Sequence, residues 1–122
     1  MYLLNEAGPV INSKTIRKYK SLEWVGQENM IYKSNYEERF AKFLKEEGID
    51  FLYEPLIFRS GSLVYIPDFL VYNNPVAATK GSVFVEIKGL WENKAYDKVV
   101  LMQAQFPLLV MNRSILMEVT RK

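Results

Sequence analysis

Apolar and polar positions follow two different periods along this chain. Over residues 35–47, Tyr36, Phe40, Phe43 and Leu44 recur at helical spacing, with Glu38, Lys42, Lys45 and Glu46 between them. That period predicts an amphipathic helix. Ser34 stands three residues before Glu37, the spacing of a capping box, and Gly48 supplies a stop. Residues 94–106 predict a second helix with Ala95, Val99, Met102 and Phe106 on one face, Asn93 as its cap and Pro107 as its end.

Elsewhere the apolar positions gather into short runs. Residues 51–58, 63–72 and 82–88 predict three strands, and residues 108–112 and 115–120 two more around the turn Asn112-Arg113-Ser114. Pro55 implies an edge or a bulge in the first strand, and Pro67 a local irregularity in the second. Ser60-Gly61-Ser62 is a turn and residues 73–81 a loop. Three consecutive strands with such links favour an antiparallel meander. The order helix, three strands, helix, strand predicts an α/β domain with a mixed sheet flanked by helices. Residues 1–12 read as a short strand or arm broken at Gly8-Pro9, and residues 13–20 as a basic cluster with nothing to choose helix over loop. The chain thus divides into an N-terminal arm, residues 1–33, and a core, residues 34–122, within a single domain.

Composition narrows the chemistry. A length of 122 residues suits one core, and an apolar fraction of 49% with a charged fraction of 25% is that of an ordinary globule. Two Trp, eight Tyr and seven Phe argue against disorder. A net charge of +2 says little about a nucleic-acid partner. With no cysteine there are no disulfides, thiolate nucleophiles or cysteine zinc sites. With no histidine there is no Ser-His-Asp triad, two-histidine ribonuclease or HExxH centre. Acid-base or metal chemistry falls to Asp, Glu, Lys and Tyr. No apolar run approaches the roughly 20 residues of a membrane span. The first residues lack a basic, then apolar, leader, so a cytoplasmic location and no membrane partner are the default expectations.

Against this background one constellation stands out. Asp68 lies in the apolar run Tyr65-Ile66-Pro67-Asp68-Phe69-Leu70-Val71, and Glu86-Ile87-Lys88 ends the apolar run that begins at Val83. Strand alternation puts Phe84, Glu86 and Lys88 on one face and Val83, Val85 and Ile87 on the other. Two carboxylates brought together repel unless a cation sits between them. Mg²⁺ suits such a pair, because it prefers oxygen, takes one or two carboxylates and keeps waters and phosphate in its other positions. Asp68, Glu86 and the carbonyl of Ile87 are therefore candidate ligands, and Lys88 a positive charge beside a phosphate. That is the pattern of a metal-dependent nuclease. An acidic-x-Lys triplet alone is expected about once by chance in a chain of this length. The bland alternative is a Glu86–Lys88 surface pair with Asp68 in a turn. Glu37 also has two readings, as the third residue of a capping box and as a ligand reaching the site from the helix start.

Asp68, Glu86 and Lys88 match the PD-(D/E)xK nuclease superfamily. Within it the chain resembles the phage endonuclease I family, which are Holliday-junction resolvases. The resemblance runs through Ser34-Asn35-Tyr36-Glu37, Gly48-Ile49-Asp50-Phe51, Tyr53-Glu54, Tyr65, Pro67-Asp68-Phe69-Leu70, Phe84-Val85-Glu86, Lys88-Gly89-Leu90-Trp91-Glu92, Gln105 and Pro107. It implies a restriction-endonuclease-like core, a catalytic set of Glu37, Asp68, Glu86 and Lys88, dependence on Mg²⁺ or Mn²⁺, a homodimer, and paired nicks in branched DNA. The chain departs from the pattern in its longer residues 1–33, in the extended connection 73–81, and in having no basic tail after residues 115–120. Residues 17–40 also resemble head-completion and transposon-end nucleases. A sequence- or end-directed nuclease and a non-catalytic DNA-binding module are the alternatives.

Phosphate contacts would come from lysine and arginine. Lys94 and Lys98 share a helix face, and Lys14, Arg17, Lys18 and Lys20 form the basic cluster; both sets read equally well as solvated charge. Trp91 could stack on a base, although a core plug is its commoner role.

Overall fold

The computed structural model describes residues 11–26, 31–72, 81–88 and 93–121, with main chain alone at 93–95. Residues 1–10 of the expected arm, residues 73–80 of the expected loop 73–81, and the readings of Gly89-Leu90-Trp91-Glu92, of Asn93 as a cap, and of the Lys94 and Ala95 side chains lie outside the described residues.

The first expected helix is α1, Asn35–Glu46. Ser34 Oγ accepts the Glu37 N–H at 3.1 Å, so the cap is the one its spacing predicts. At the other end Ile49 N–H donates to Leu44 O at 2.9 Å and Gly48 N–H to Lys45 O at 3.2 Å, with Gly48 at φ +69°. This is a Schellman close, and Leu44 and Ile49 supply its apolar contact inside the core.

The mixed α/β architecture follows, with the meander present and folded across two sheets. The first expected strand divides into β2 (Asp50–Tyr53) and β3 (Leu56–Ser60), and the second into β4 (Leu63–Tyr65) and β5 (Phe69–Tyr72). The two arms pair antiparallel along both halves, β2 with β5 and β3 with β4. Five residue steps lead from Tyr53 to Phe58, where only four lead from Tyr65 to Phe69. The first arm therefore carries one extra residue, a bulge at Glu54, whose φ is +47°. Holding a non-glycine residue in that region costs about 1–2 kcal/mol. Pro55 and Pro67, without N–H groups, sit where the arms leave one sheet for the other.

The smaller sheet has the order β1-β3-β4, where β1 is Leu22–Trp24. The strand β1 and the single 3-10 turn Ile16–Lys18 before it were not legible in the sequence. Ile11, Ile16 and Leu22 are buried, so this part of the chain adds to the core. The larger sheet has the order β2-β5-β6-β7, with β6 at Ser82–Ile87 and β7 at Leu108–Met111. Strand β6 runs antiparallel to β5 and parallel to β7. Its parallel neighbour is reached through the helix α2, Asn93–Gln103, the kind of crossover a parallel pair requires.

The expected strand 115–120 is instead the end of a helix, α3, Arg113–Val119. Asn112, expected in a turn, is its cap, accepting the Ile115 N–H at 2.8 Å. Leu116 and Thr120, one helical turn apart, are buried while Ile115 is exposed.

Both faces of the larger sheet are covered. Phe69, Val71, Val83, Val85 and Ile87 pack under Phe40, Phe43, Leu44 and Leu116 of the two helices. Leu70, Phe84 and Leu108 pack against Val99, Met102 and Phe106, together with Leu56, Phe58 and Tyr65 from the smaller sheet. That is why all six residues of β6 are buried. Among the described residues no helix is long and apolar enough to cross a membrane.

Candidate active site

The site lies where the two sheets part. The register Phe69↔Val85 would set residue 67 against Ile87, but the bend at Ile66-Pro67 takes the main chain out of the ladder. The Asp68 carboxylate accepts the Ile87 N–H in its place, Oδ2 at 2.8 Å. On the neighbouring arm the Glu54 N–H donates to Asp68 O at 2.8 Å, which locks the bulge to the bend. Asp68 is thus buried at the joint, with 8% of its surface exposed.

Glu86 follows from β6, with 3% exposed. It shares a face with Phe84, which packs inward, so that face of the strand is covered. The Tyr65 hydroxyl donates to Glu86 Oε1, and the Lys88 ammonium stands 2.9 Å from Oε2. Lys88 is partly exposed, at 25% of its side chain, and its main-chain N–H donates to Met111 O on β7. A carboxylate this deep requires such partners, because burying it alone is very costly.

Glu37 enters from the first turn of α1 and is also buried. Its Oε1 accepts from the Tyr53 hydroxyl and, at 3.3 Å, from the Lys33 N–H. The reach is to the residue before the cap rather than to the cap's own N–H, a displaced form of the capping box. Glu37 thus stands at the helix start, and its charge acts on Asp68.

The electrostatics tie the group together. Burial and then the Glu86 charge push the Asp68 carboxyl up to about 8, with Glu37 adding to the rise and the Ile87 N–H and Lys88 opposing it. Crowded against Glu86, the Asp68 carboxyl therefore gives up its proton less readily than one in water. The phenols of Tyr65 and Tyr53 are raised as well, by burial first and then by Glu86 and Glu37 respectively, so both stay neutral donors. Among the described residues no three carboxylates close on one point as a protein-only cage. Two crowded oxygen donors, Asp68 and Glu86, with the Ile87 carbonyl next in the chain, suit a cation that keeps water and substrate oxygens in its remaining positions, as Mg²⁺ does.

Lys14, Arg17, Lys18 and Lys20 are exposed around the turn that precedes β1, and Lys98 is half-buried on α2. Four residues that carry the geometry were given no role by sequence reasoning: Tyr65, Tyr53, Lys33 and Glu54. Tyrosine in a strand reads as an ordinary strand former. The one usable signal was Glu54 beside Pro55, an acidic residue at an expected bulge.

The family described as phage endonuclease I matches residues 20–117. Over 82 residues the chain is 35% identical to "Endonuclease I" of Escherichia phage T7, a stretch covering 64% of this chain and 50% of that protein. It is 33% identical over 82 residues to "Endodeoxyribonuclease 1" of Enterobacteria phage T3, covering 64% and 49%. The chain spans about half the length of these curated relatives. With a match that runs from just before β1 into α3 and takes in every residue of the cluster, the chain belongs to the phage endonuclease I family.

Proposed function

We propose that this chain is a metal-dependent DNA endonuclease that nicks branched DNA, a Holliday junction in particular, as a homodimer. The observation that carries the reading is the buried Asp68–Glu86 pair with Lys88 held on Glu86, at a break between two sheets. A protein that only bound DNA would gain nothing by bringing buried carboxylates to a phosphate. The relatives' names, an endonuclease and an endodeoxyribonuclease, point the same way.

Asp68 and Glu86 would hold Mg²⁺ or Mn²⁺, which when bound lowers the pKa of a water and neutralises charge on the phosphate. The Ile87 N–H fixes Asp68 Oδ2, and the Tyr65 hydroxyl fixes Glu86 Oε1, so both carboxylates are oriented before substrate arrives. Lys88 is partly exposed and tethered by Glu86, placed to set positive charge beside the scissile phosphate. Glu37 adds a third carboxylate from the helix start.

A labelled four-way junction and a matching linear duplex, each with Mg²⁺ or EDTA, test the reading beside Glu86→Ala and Lys88→Ala. Metal-dependent paired nicks in the junction alone, lost in both variants, are expected. Equal cutting of the duplex would keep the nuclease and remove the junction preference. Binding with no cutting under any metal would leave a DNA-binding module.

A further inference from the structure

Just outside the carboxylate cluster sits a second lysine with no task in the mechanism above. Lys33 precedes the Ser34 cap of α1. Its main-chain N–H donates to Glu37 Oε1 at 3.3 Å and to the Tyr53 hydroxyl at 3.2 Å, which fixes its backbone at the site. Its ammonium lies 3.0 Å from Glu54 Oε2. The lysine side chain is 68% exposed and that of Glu54 22%.

An ion pair so open to water contributes little to stability. Yet Glu54 occupies a backbone conformation, φ +47°, that glycine would adopt without steric cost. The chain keeps a carboxylate there, and the carboxylate's partner is Lys33. The Lys33 charge also lies in the field of Glu37 and Asp68, which add to the effect of Glu54 in holding its proton. A charged, solvent-reachable ammonium anchored this close to the carboxylates is within reach of any phosphate that approaches them. Phosphate oxygens would compete with Glu54 for it, and the exchange breaks only one exposed pair.

We propose that Lys33 is a phosphate-contacting residue of this site, and that Glu54 is the counter-ion that holds its ammonium at the mouth until a phosphate replaces it. The inference rests on the nuclease reading and assigns a DNA contact to the α1 end of the site, as Lys88 would supply one at the end of β6.

Binding of a fluorescent four-way junction, followed by anisotropy in EDTA over a range of salt, tests it, with nicking in Mg²⁺ measured in parallel. Lys33→Gln is expected to weaken binding about 5- to 10-fold and to lower the slope of log K against log salt by about 0.9, one phosphate contact. Lys33→Arg should restore both. Glu54→Gln should keep the slope and bind more tightly than wild type, because the competing carboxylate is gone; a purely structural Glu54 would do the reverse. Circular dichroism of each variant guards against misfolding. A wild type that nicks DNA, beside a Lys33→Gln variant with unchanged affinity and slope, overturns this inference alone. A wild type that neither binds nor nicks any DNA overturns the nuclease reading and this inference with it.

Discussion

At the scale of single residues, the electrostatic cost of the site is concentrated on Asp68. Its carboxyl is pushed up to about 8 in the folded protein, by burial and then by Glu86. A raised carboxyl pKa means that the folded state binds the proton more tightly than the unfolded chain. Its contribution is fully present below the ordinary carboxylate range and is lost as pH rises through about 8. The metal-free protein should therefore lose stability between about pH 4 and pH 8, by about 2–4 kcal/mol after allowance for coupling to Glu86. Asp68→Asn should flatten that dependence and be the more stable form at pH 8, although inactive. Urea unfolding in EDTA at pH 5 and pH 8 checks this, and parallel pH dependence in the two proteins would refute it. Asp68 was legible as a site residue because an acidic side chain within an apolar run needs a partner. Tyr65 was not, because its hydroxyl acquires meaning only once the fold brings Glu86, 21 positions away, against it.

At the scale of elements, legibility depended on how many turns or strand positions each pattern filled. The long amphipathic α1 came with cap, period and stop all in agreement. The meander came with its prolines, and Pro55 pointed to an edge or a bulge, but nothing in the pattern showed that each arm divides there between two sheets. The seven residues of α3 are too few for a period to show, and Ile115, Leu116, Met117 and Val119 resemble a strand. What settles the element as a helix is its cap and the burial of Leu116 and Thr120 on one side. Removing that cap should cost about 1 kcal/mol. Asn112→Ala is accordingly expected to unfold at lower denaturant by that amount, while Asn112→Asp retains the acceptor and most of the stability. A loss-free Asn112→Ala would mean that packing of Leu116 alone holds the helix. Because β7 delivers the chain from the partner strand of β6 straight into this cap, the measurement also reports on the support under Glu86 and Lys88.

At the scale of the whole molecule, a single chain carries one set of Glu37, Asp68, Glu86 and Lys88. One cluster can act on one phosphodiester at a time. If the proposed function holds, paired nicks in symmetric strands of a junction would call for two chains related by a two-fold axis, which would place equivalent sites on equivalent strands. No residue pattern points to a dimer, since a two-fold surface has no periodic signature along a chain; the homodimer is an expectation of the family resemblance alone. Co-refolding wild-type chains with an excess of Lys88→Ala chains tests it. If the active form is a dimer, most remaining active molecules pair one intact site with one disabled site. Junctions cut by that mixture should carry mostly single nicks, and the yield of paired nicks should fall roughly as the square of the wild-type fraction. Independent monomers would instead keep the nicks of both strands in proportion, with only the total rate reduced in direct step with the wild-type fraction. Because the two laws separate most strongly when intact chains are scarce, a mixture dominated by Lys88→Ala decides between them even if each single cut is as fast as in the parent protein.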